Sequence, residues 1–167
     1  MKITIALFFI SFISVAQIER TDSIGNFYVK NNELIWQKYY ELGDENKLDQ
    51  TLKANELTNN LDIFDFETSG ISDLVYIDGN NLPSYTKKGF KTFVIIDVEQ
   101  NQYRVTIKDI IFPDFVENNY YNGRRQVSRT GSLENYVLRQ NGTINRNNAT
   151  INVLESFDYI FDQVFVE

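Results

Sequence analysis

Apolar and polar residues alternate between Lys91 and Phe112, and this pattern predicts one long β-hairpin. A two-residue turn at Gln100–Asn101 sorts the residues of the two strands onto opposite faces. The face predicted to be buried carries Val94, Ile96, Val98, Tyr103, Val105 and Ile107. The other face pairs Asp97 with Arg104. A slip of one residue would exchange the two faces, so the register is strongly specified.

A second hairpin is predicted from Phe27 to Leu42. Its turn falls at Asn31–Asn32, because asparagine tolerates the left-handed backbone that a two-residue turn needs. The predicted pairs are Lys30 with Glu33, Val29 with Leu34, Tyr28 with Ile35, and Phe27 with Trp36. The face predicted to be buried contains Phe27, Val29, Leu34, Trp36, Tyr40 and Leu42. Lys38 lies on the same face and is its one misfit.

The predicted elements around these hairpins are shorter. The polar stretch from Gln17 to Gly25 is expected to be a loose leader. A short helix is predicted from Lys47 to Leu57, with three leucines near one face. Two further strands are predicted from Leu61 to Glu67 and from Ile71 to Ile77, joined through Ser69–Gly70. Aspartates interrupt both of these strand patterns, so their register stays open.

Two helices are predicted near the C-terminus. Ser132 is expected to cap a short helix that runs through Gln140. A final helix begins near Asn148, because apolar residues recur there at helical spacing: Ile151, Leu154, Phe157 (or Asp158), Phe161 and Val164. The order of elements favours an α+β fold. We predict an antiparallel sheet of about six strands, with the helices near residues 44–57 and 148–165 packed on one face.

The first residues have the pattern of a signal peptide. Lys2 is followed by a largely apolar run, and Ser14–Ala16 then places small residues where a signal peptidase cleaves. We therefore predict a signal peptide over residues 1–16 and a single domain over 17–167, exported to the periplasm or secreted. An uncleaved membrane anchor is the alternative. With the signal removed, no membrane span is expected.

Histidine and cysteine are absent from the chain. Their absence excludes Ser-His-Asp and Cys-His nucleophilic sites, zinc sites of the usual ligand set, and thiol redox chemistry. The formal net charge is −7 and becomes −8 when Lys2 is removed, which argues against nucleic acid as a partner. No catalytic residue, no metal ligand and no cofactor is predicted.

Carboxylates and one short motif leave other chemistry open. Several acidic residues lie in or beside the third and fourth predicted strands: Asp62, Asp65, Glu67, Asp73 and Asp78. Two facing carboxylates could hydrolyse a glycan, and several could hold calcium. A solvated strand face is the simpler interpretation. The run from Ser84 to Lys87 matches the S-x-x-K spacing of penicillin-recognising enzymes, but the further motifs of that class are missing.

The stretch from Pro113 to Gly131 has no clear period and is predicted to be a long surface loop. It contains the chain's one cluster of aromatic and basic residues: Tyr120, Tyr121, Arg124, Arg125 and Arg129. Aromatic and arginine side chains are enriched where proteins bind partners. We therefore predict a partner-binding loop here. The alternative is a loop whose tyrosines only hold it against the sheet.

Several stretches together resemble a known family. An export signal ends at Ala16–Gln17 and is followed by FYVKNNELIWQKYYE, a short helix, a strand pair and FVIIDVEQNQYRVTIKDI. A Ser-Leu-Glu-Asn-Tyr helix at Ser132–Tyr136 and an amphipathic C-terminal helix complete the pattern. The chain thus resembles exported proteins of a Bacteroidetes-type domain-of-unknown-function family with a TATA-binding-protein-like fold. The resemblance implies an antiparallel sheet with helices on one side and no particular reaction.

The leading functional interpretation is a non-enzymatic binding module of the cell envelope. It would recognise an envelope protein, a peptide or a small ligand through an exposed sheet face or the 113–131 loop. The alternative is a carboxylate-based glycan hydrolase or a calcium-dependent sugar binder. A purely structural or inhibitory protein is a third possibility. A pocket enclosing two carboxylates would favour the hydrolase, whereas an exposed apolar patch or an open sheet edge would favour the binding module. The oligomeric state stays open.

Overall fold

A computed structural model describes residues 22–43, 45–63, 67–77, 82–113, 116–121, 124–129 and 131–165. The predicted signal peptide therefore lies outside the described residues. The elements, in chain order, are β1 (Ser23–Ile24), β2 (Phe27–Lys30), β3 (Glu33–Glu41), α1 (Glu45–Ala54), β4 (Asp62–Ile63), β5 (Glu67–Ile71), a 3₁₀ helix (Ser84–Lys88), β6 (Lys91–Glu99), β7 (Gln102–Ile111), β8 (Val116–Tyr121), β9 (Arg124–Arg129), α2 (Glu134–Val137) and α3 (Asn148–Phe165).

The described part of the chain forms a seven-stranded sheet in the order β1-β2-β3-β7-β6-β5-β4 and a separate two-stranded ribbon, β8-β9. Every pairing in the sheet is antiparallel. Buried residues of α1 and α3 join one core cluster with the apolar face of the central strands. The predicted α+β class, with helices packed on one face of an antiparallel sheet, is confirmed. The sheet has one strand more than predicted, because Ser23–Ile24 of the predicted leader pairs with β2 as β1.

Both predicted hairpins are confirmed in register. Phe27 pairs with Trp36 and Lys30 with Glu33 across the first turn, where Asn31 and Asn32 have φ of 54° and 65°. The same agreement holds for the central hairpin, whose pairs include Ile96–Val105, Asp97–Arg104 and Val98–Tyr103. The alternation of apolar and polar residues and the turn residues are local signals, and here they favour the same strand pairing that the tertiary structure adopts.

The prediction for the third and fourth strands is wrong. Ser69 and Gly70 do not join two strands, because they lie inside β5 and pair with β6. A Cβ at Gly70 would come 3.3 Å from Leu61 Cα, so glycine lets the preceding turn approach the strand closely. Beyond Ser72 the chain leaves the sheet and returns only at the Val75–Phe90 bridge.

Two segments predicted to be loose or helical are drawn into the sheet instead. Ser23–Ile24 of the predicted leader forms β1, and Asp22 binds Arg146 with an Oδ1–NH2 distance of 2.8 Å. Ser132 does not cap a helix of nine residues, because it bridges to Ile111 at the end of β7. Helix α2 is consequently only four residues long. The contacts of Asp22 with Arg146 and of Ser132 with Ile111 join residues that are distant in sequence.

A β-bulge ends the regular part of the central hairpin. The register shifts between Phe93–Lys108 and Lys91–Ile111, so β7 carries one extra residue. Asp109 has φ of 53°, the left-handed conformation that such a bulge uses. The bulge turns Ile110 and Phe112 into the core and leaves Ile111 44% exposed.

Trp36 is at the centre of the core and is fully buried. Its ring meets Phe161 of α3 edge-on at a centroid distance of 5.5 Å and stacks near Phe165 at 6.4 Å. At the end of the same helix, the Tyr103 hydroxyl donates a 2.6 Å hydrogen bond to the Phe165 carbonyl. The aromatic side chains of α3 therefore pack the helix against the middle of the sheet.

Two aspartates of α3 satisfy the polar groups beneath the helix. Asp158 Oδ1 accepts hydrogen bonds from Trp36 Nε1 at 2.7 Å and from the backbone and side chain of Asn26 at 3.2 and 2.9 Å. Asp162 Oδ1 forms an ion pair with Lys38 and accepts a 2.9 Å hydrogen bond from the Tyr40 hydroxyl. Lys38, the misfit of the sequence pattern, is thus paired on the helix face.

We expect Trp36→Ala to lower the free energy of unfolding by about 3–5 kcal/mol, as large-to-small changes in cores do. The substitution removes a fully buried ring and a donor to Asp158. Chemical denaturation measures the change. Tyr159→Ala is the matched control, because Tyr159 lies on α3 but is 66% exposed, and it should change stability by less than about 0.5 kcal/mol. A loss below about 1 kcal/mol for Trp36→Ala would contradict this packing.

We also expect stability to fall in alkali through Tyr85. Burial, and secondly the stacked Tyr136 ring at 3.9 Å, raises the pKa of Tyr85 from 10.0 to about 12. As the pH rises, the unfolded chain therefore loses this proton first. The contribution of Tyr85 to the free energy of unfolding is fully present below pH 10 and is lost between pH 10 and 12. The shift corresponds to about 2–3 kcal/mol. Denaturation at increasing pH should show a shallower decrease for Tyr85→Phe, while the exposed-site control Tyr159→Phe should follow the parent; equal slopes for all three would contradict this expectation.

Candidate partner-binding surface

One face of the sheet is not used to pack the described helices. We call it the open face. It is formed by residues of β3, β7, β6 and β5: Gln37, Tyr39, Arg104, Thr106, Lys108, Phe93, Ile95, Asp97, Ser69 and Ile71. Tyr28 and Ile35 lie on the same side towards β2 and are buried, so the open face begins at Gln37. The hairpin registers place these residues there, because alternate residues of a strand share a face.

The centre of the open face is a row formed by Tyr39, Arg104 and Asp97 on three neighbouring strands. Arg104 donates to Asp97 Oδ2 from Nε at 3.0 Å and from NH2 at 2.7 Å. The hydrogen bond to Asp97, and secondly that to Tyr39, raises the pKa of the Arg104 guanidinium above its ordinary value. The guanidinium therefore stays charged and is held in one orientation beside an aromatic ring.

Two further rows continue this polar pattern. Gln37 Nε2 donates to Thr106 Oγ1 at 3.1 Å. Lys108 Nζ lies 3.4 Å from Glu33 Oε1 and 5.8 Å from the centroid of the Phe93 ring. The charged groups of Arg104, Asp97 and Lys108 thus have partners, and a ligand need not neutralise them.

Apolar side chains stand beside these polar rows. Ile71 is 63% exposed and Tyr39 is 46% exposed, while Phe93 and Ile95 are half-buried between them. A mixture of aromatic, aliphatic and arginine side chains is typical of protein-binding surfaces. The open face therefore has residues of the types found in protein interfaces, and several of them are accessible to solvent.

The predicted partner-binding loop is a β-hairpin. Strands β8 and β9 pair with each other and form a ribbon outside the seven-stranded sheet. Its base is held where Phe112 N donates to the Gly131 carbonyl at 2.5 Å and Leu133 N donates to the Ile110 carbonyl at 2.8 Å. The Asn122-Gly123 dipeptide is a strong hairpin signal that could have corrected the loop prediction.

The ribbon divides the predicted site residues into two sets. Register pairs Tyr120 with Arg125 and Tyr121 with Arg124. Because paired residues share a face and faces alternate, Tyr120, Arg125 and Arg129 belong to one face and Tyr121 and Arg124 to the other. The side chains of these residues lie outside the described part of the structure. Their role in binding stays a prediction.

The other candidate chemistry finds little support among the described residues. In the S-x-x-K segment, Tyr85 and Thr86 are buried whereas Ser84 and Lys87 are exposed. Of the acidic strand residues, Asp73 accepts a 2.6 Å hydrogen bond from Asn60 Nδ2. Asp65 and Asp78, and the side chains of Asp62 and Glu67, lie outside the described part. The residues that the structure describes include no group of three or more carboxylates placed to hold a metal ion.

A shallow cleft lies at the turn end of the central hairpin. It has a volume of about 530 Å³ and is lined by Glu41, Leu42, Glu99, Gln100, Asn101 and Gln102. Glu41 and Glu99 lie on either side of Gln102 in the sheet, and both are exposed. The cleft is therefore acidic and open, and it does not enclose the two carboxylates.

Comparison with known proteins gives a limited result. No family model and no curated protein matches the chain. Among solved structures, the chain is similar to a TBP-like protein from Parabacteroides distasonis, with 18% sequence identity and a TM-score of 0.44. The match covers 81% of this chain and 92% of that one. Within the described residues, no helix is long and apolar enough to span a membrane.

Proposed function

We propose that this protein is a non-enzymatic binding module that recognises a protein or peptide through the open face of its sheet. The observation that carries the proposal is the exposure of Tyr39 and Ile71 around the ordered Arg104–Asp97 pair. Isolated exposed apolar residues are common on proteins, but here they share one sheet face with Phe93 and Ile95. Such a grouping is typical of a surface that another molecule covers.

The alternative was a carboxylate-based hydrolase or a calcium-dependent sugar binder. A hydrolase needs two carboxyl groups held around a bound glycan, in surroundings that separate their roles. Glu41 and Glu99 are the two acidic side chains that line the described cleft, and they are exposed in an open groove. The described residues therefore favour binding over catalysis.

The proposal includes export to the cell envelope. Lys2, the apolar run after it and Ser14–Ala16 support cleavage after Ala16, so the mature chain should begin at Gln17. Intact-mass measurement of protein recovered from the periplasm or the medium tests this. Recovery of the full-length chain in the cytoplasm would contradict it.

The binding proposal predicts that Tyr39→Ser combined with Ile71→Ser removes partners captured from an envelope extract. Both side chains are exposed, so the free energy of unfolding should stay within about 1 kcal/mol of the parent. Tyr159→Ser is the control, because this side chain is 66% exposed and belongs to α3, which packs on the other face of the sheet. If the control loses the partners and the open-face variant keeps them, the open face is not the site.

A further inference from the structure

The outer edge of β3 is paired along only half of its length. Strand β2 covers β3 from Glu33 to Trp36, whereas β7 pairs with β3 on the other side as far as Glu41. In the part of the chain that the structure describes, no strand pairs with the outer side of β3 beyond Trp36. Among the described strands, the segment Lys38–Glu41 is therefore an open sheet edge.

The backbone groups at this edge can be assigned from the hydrogen bonds at its two ends. Gln37 N donates outwards to the Asn26 carbonyl at 3.1 Å, and Leu42 N donates inwards to the Asn101 carbonyl at 2.8 Å. Backbone groups of successive strand residues point to opposite sides. Tyr39 and Glu41 consequently direct their N–H and C=O groups outwards, which leaves two donors and two acceptors for a partner.

The pairing stops at Asn26, where the chain turns from β1 into β2 and the free backbone N–H is taken up by Asp158. In a continuing ladder, the Asn26 N–H would donate back to the Gln37 carbonyl. It donates instead to Asp158 Oδ1 at 3.2 Å, and the Asn26 side chain donates to the same oxygen at 2.9 Å. The β1–β2 turn and this carboxylate together end the β2–β3 ladder, and no described strand covers the rest of the edge.

Lys38 does not block this edge. A charge that points inwards on an edge strand normally prevents a further strand from adding, because the addition would bury the charge without a partner. The ammonium group of Lys38 is paired with Asp162 and lies 5.2 Å from the centroid of the Tyr40 ring. A strand added beside Lys38 therefore leaves its charge satisfied.

The charges at the edge indicate the chemistry of the partner. Glu41 and Glu99 form no ion pair with any residue that the structure describes, and both line the acidic cleft. A residue opposite Glu41 in an added strand would lie on the open face, about 5 Å away between Cβ atoms. Its neighbour two residues along would lie opposite the exposed Tyr39 ring, which attracts cations.

We propose that an extended peptide with lysine or arginine at alternate positions adds as a further strand to the Lys38–Glu41 edge. The inference rests on the proposed binding function and names the kind of partner for it. Backbone hydrogen bonds to Tyr39 and Glu41 supply affinity, as in other complexes formed by strand addition. Glu41 selects for a basic side chain.

Amide hydrogen exchange of the full chain, followed by NMR, tests the edge directly. In the free protein, the amides of Tyr39 and Glu41 should exchange fast and those of Lys38 and Tyr40 slowly. A synthetic peptide in which threonine and lysine alternate should slow exchange at Tyr39 and Glu41 by about tenfold or more. The counterpart with glutamate in place of lysine should bind at least about tenfold more weakly, since it meets Glu41 with a like charge.

Two pairs of variants separate the contributions. Tyr39→Pro removes the outward N–H and should abolish binding of the lysine peptide. Tyr39→Ser loses the ring contact but keeps that N–H, so it should bind the peptide more weakly than the parent and more tightly than the proline variant. Glu41→Gln should weaken the preference for lysine, and Glu41→Lys should reverse it towards the glutamate peptide. The two Glu41 substitutions keep the proposal testable if Tyr39→Pro does not fold.

Several results would overturn the proposal. These are slow exchange of both outward amides in the free protein, no effect of the lysine peptide, and equal binding of the two peptides. Protection that depends on protein concentration without any peptide would identify a second copy of the chain as the occupant instead. Because Tyr39→Ser removes the ring but keeps the edge, failure of the open face and failure of the edge give different results.

Discussion

The structure depends on the carboxylate of Asp158. Burying the Trp36 ring in the centre of the sheet requires an acceptor for its indole N–H, because a buried donor without a partner costs on the order of 1–3 kcal/mol. Asp158 supplies that acceptor from α3 at 2.7 Å. The same oxygen accepts from both nitrogens of Asn26, so helix, central strand and the β1–β2 turn meet at one atom. A Cβ at Gly25 would come 2.5 Å from the other oxygen, which explains the glycine there.

The second aspartate of α3 extends this arrangement by one turn. Asp162 neutralises Lys38 and accepts the Tyr40 hydroxyl, while burial and that hydrogen bond raise the pKa of Tyr40 far above its ordinary value. The helix therefore binds β3 through polar groups on the side where β2 has ended. These contacts satisfy the side chains of the edge and leave its outward backbone groups unpaired.

The open face and the edge of β3 meet at Tyr39. Its side chain belongs to the row with Arg104 and Asp97, and its backbone belongs to the unpaired edge. A strand that adds to this edge would place alternate side chains on the open face, next to that row. The two proposed contacts can therefore be parts of one binding surface. The β8–β9 ribbon is a two-stranded element separate from this sheet, and its role in partner binding stays a prediction.

Local sequence pattern was sufficient to predict the two hairpins, their registers and the helix Asn148–Phe165. The turn at Asn31–Asn32 and the alternation around Asp97–Arg104 depend on neighbours only, so nothing distant could change them. The open face followed from these registers. The Asn122-Gly123 dipeptide is an equally local hairpin signal.

The remaining features were decided by tertiary structure, because each depends on partners that no short stretch contains. Gly70 lies within a strand since β6 pairs with it and Leu61 packs close to it. Ser132 joins the end of β7 and not a helix. Lys38 looked like an error in the core pattern until Asp162, 124 residues away, came to pair with it. Among the described strands, the edge of β3 is open beyond Trp36 because the chain turns between β1 and β2 and Asp158 takes the Asn26 N–H. Sequence periodicity carries no sign of that competition.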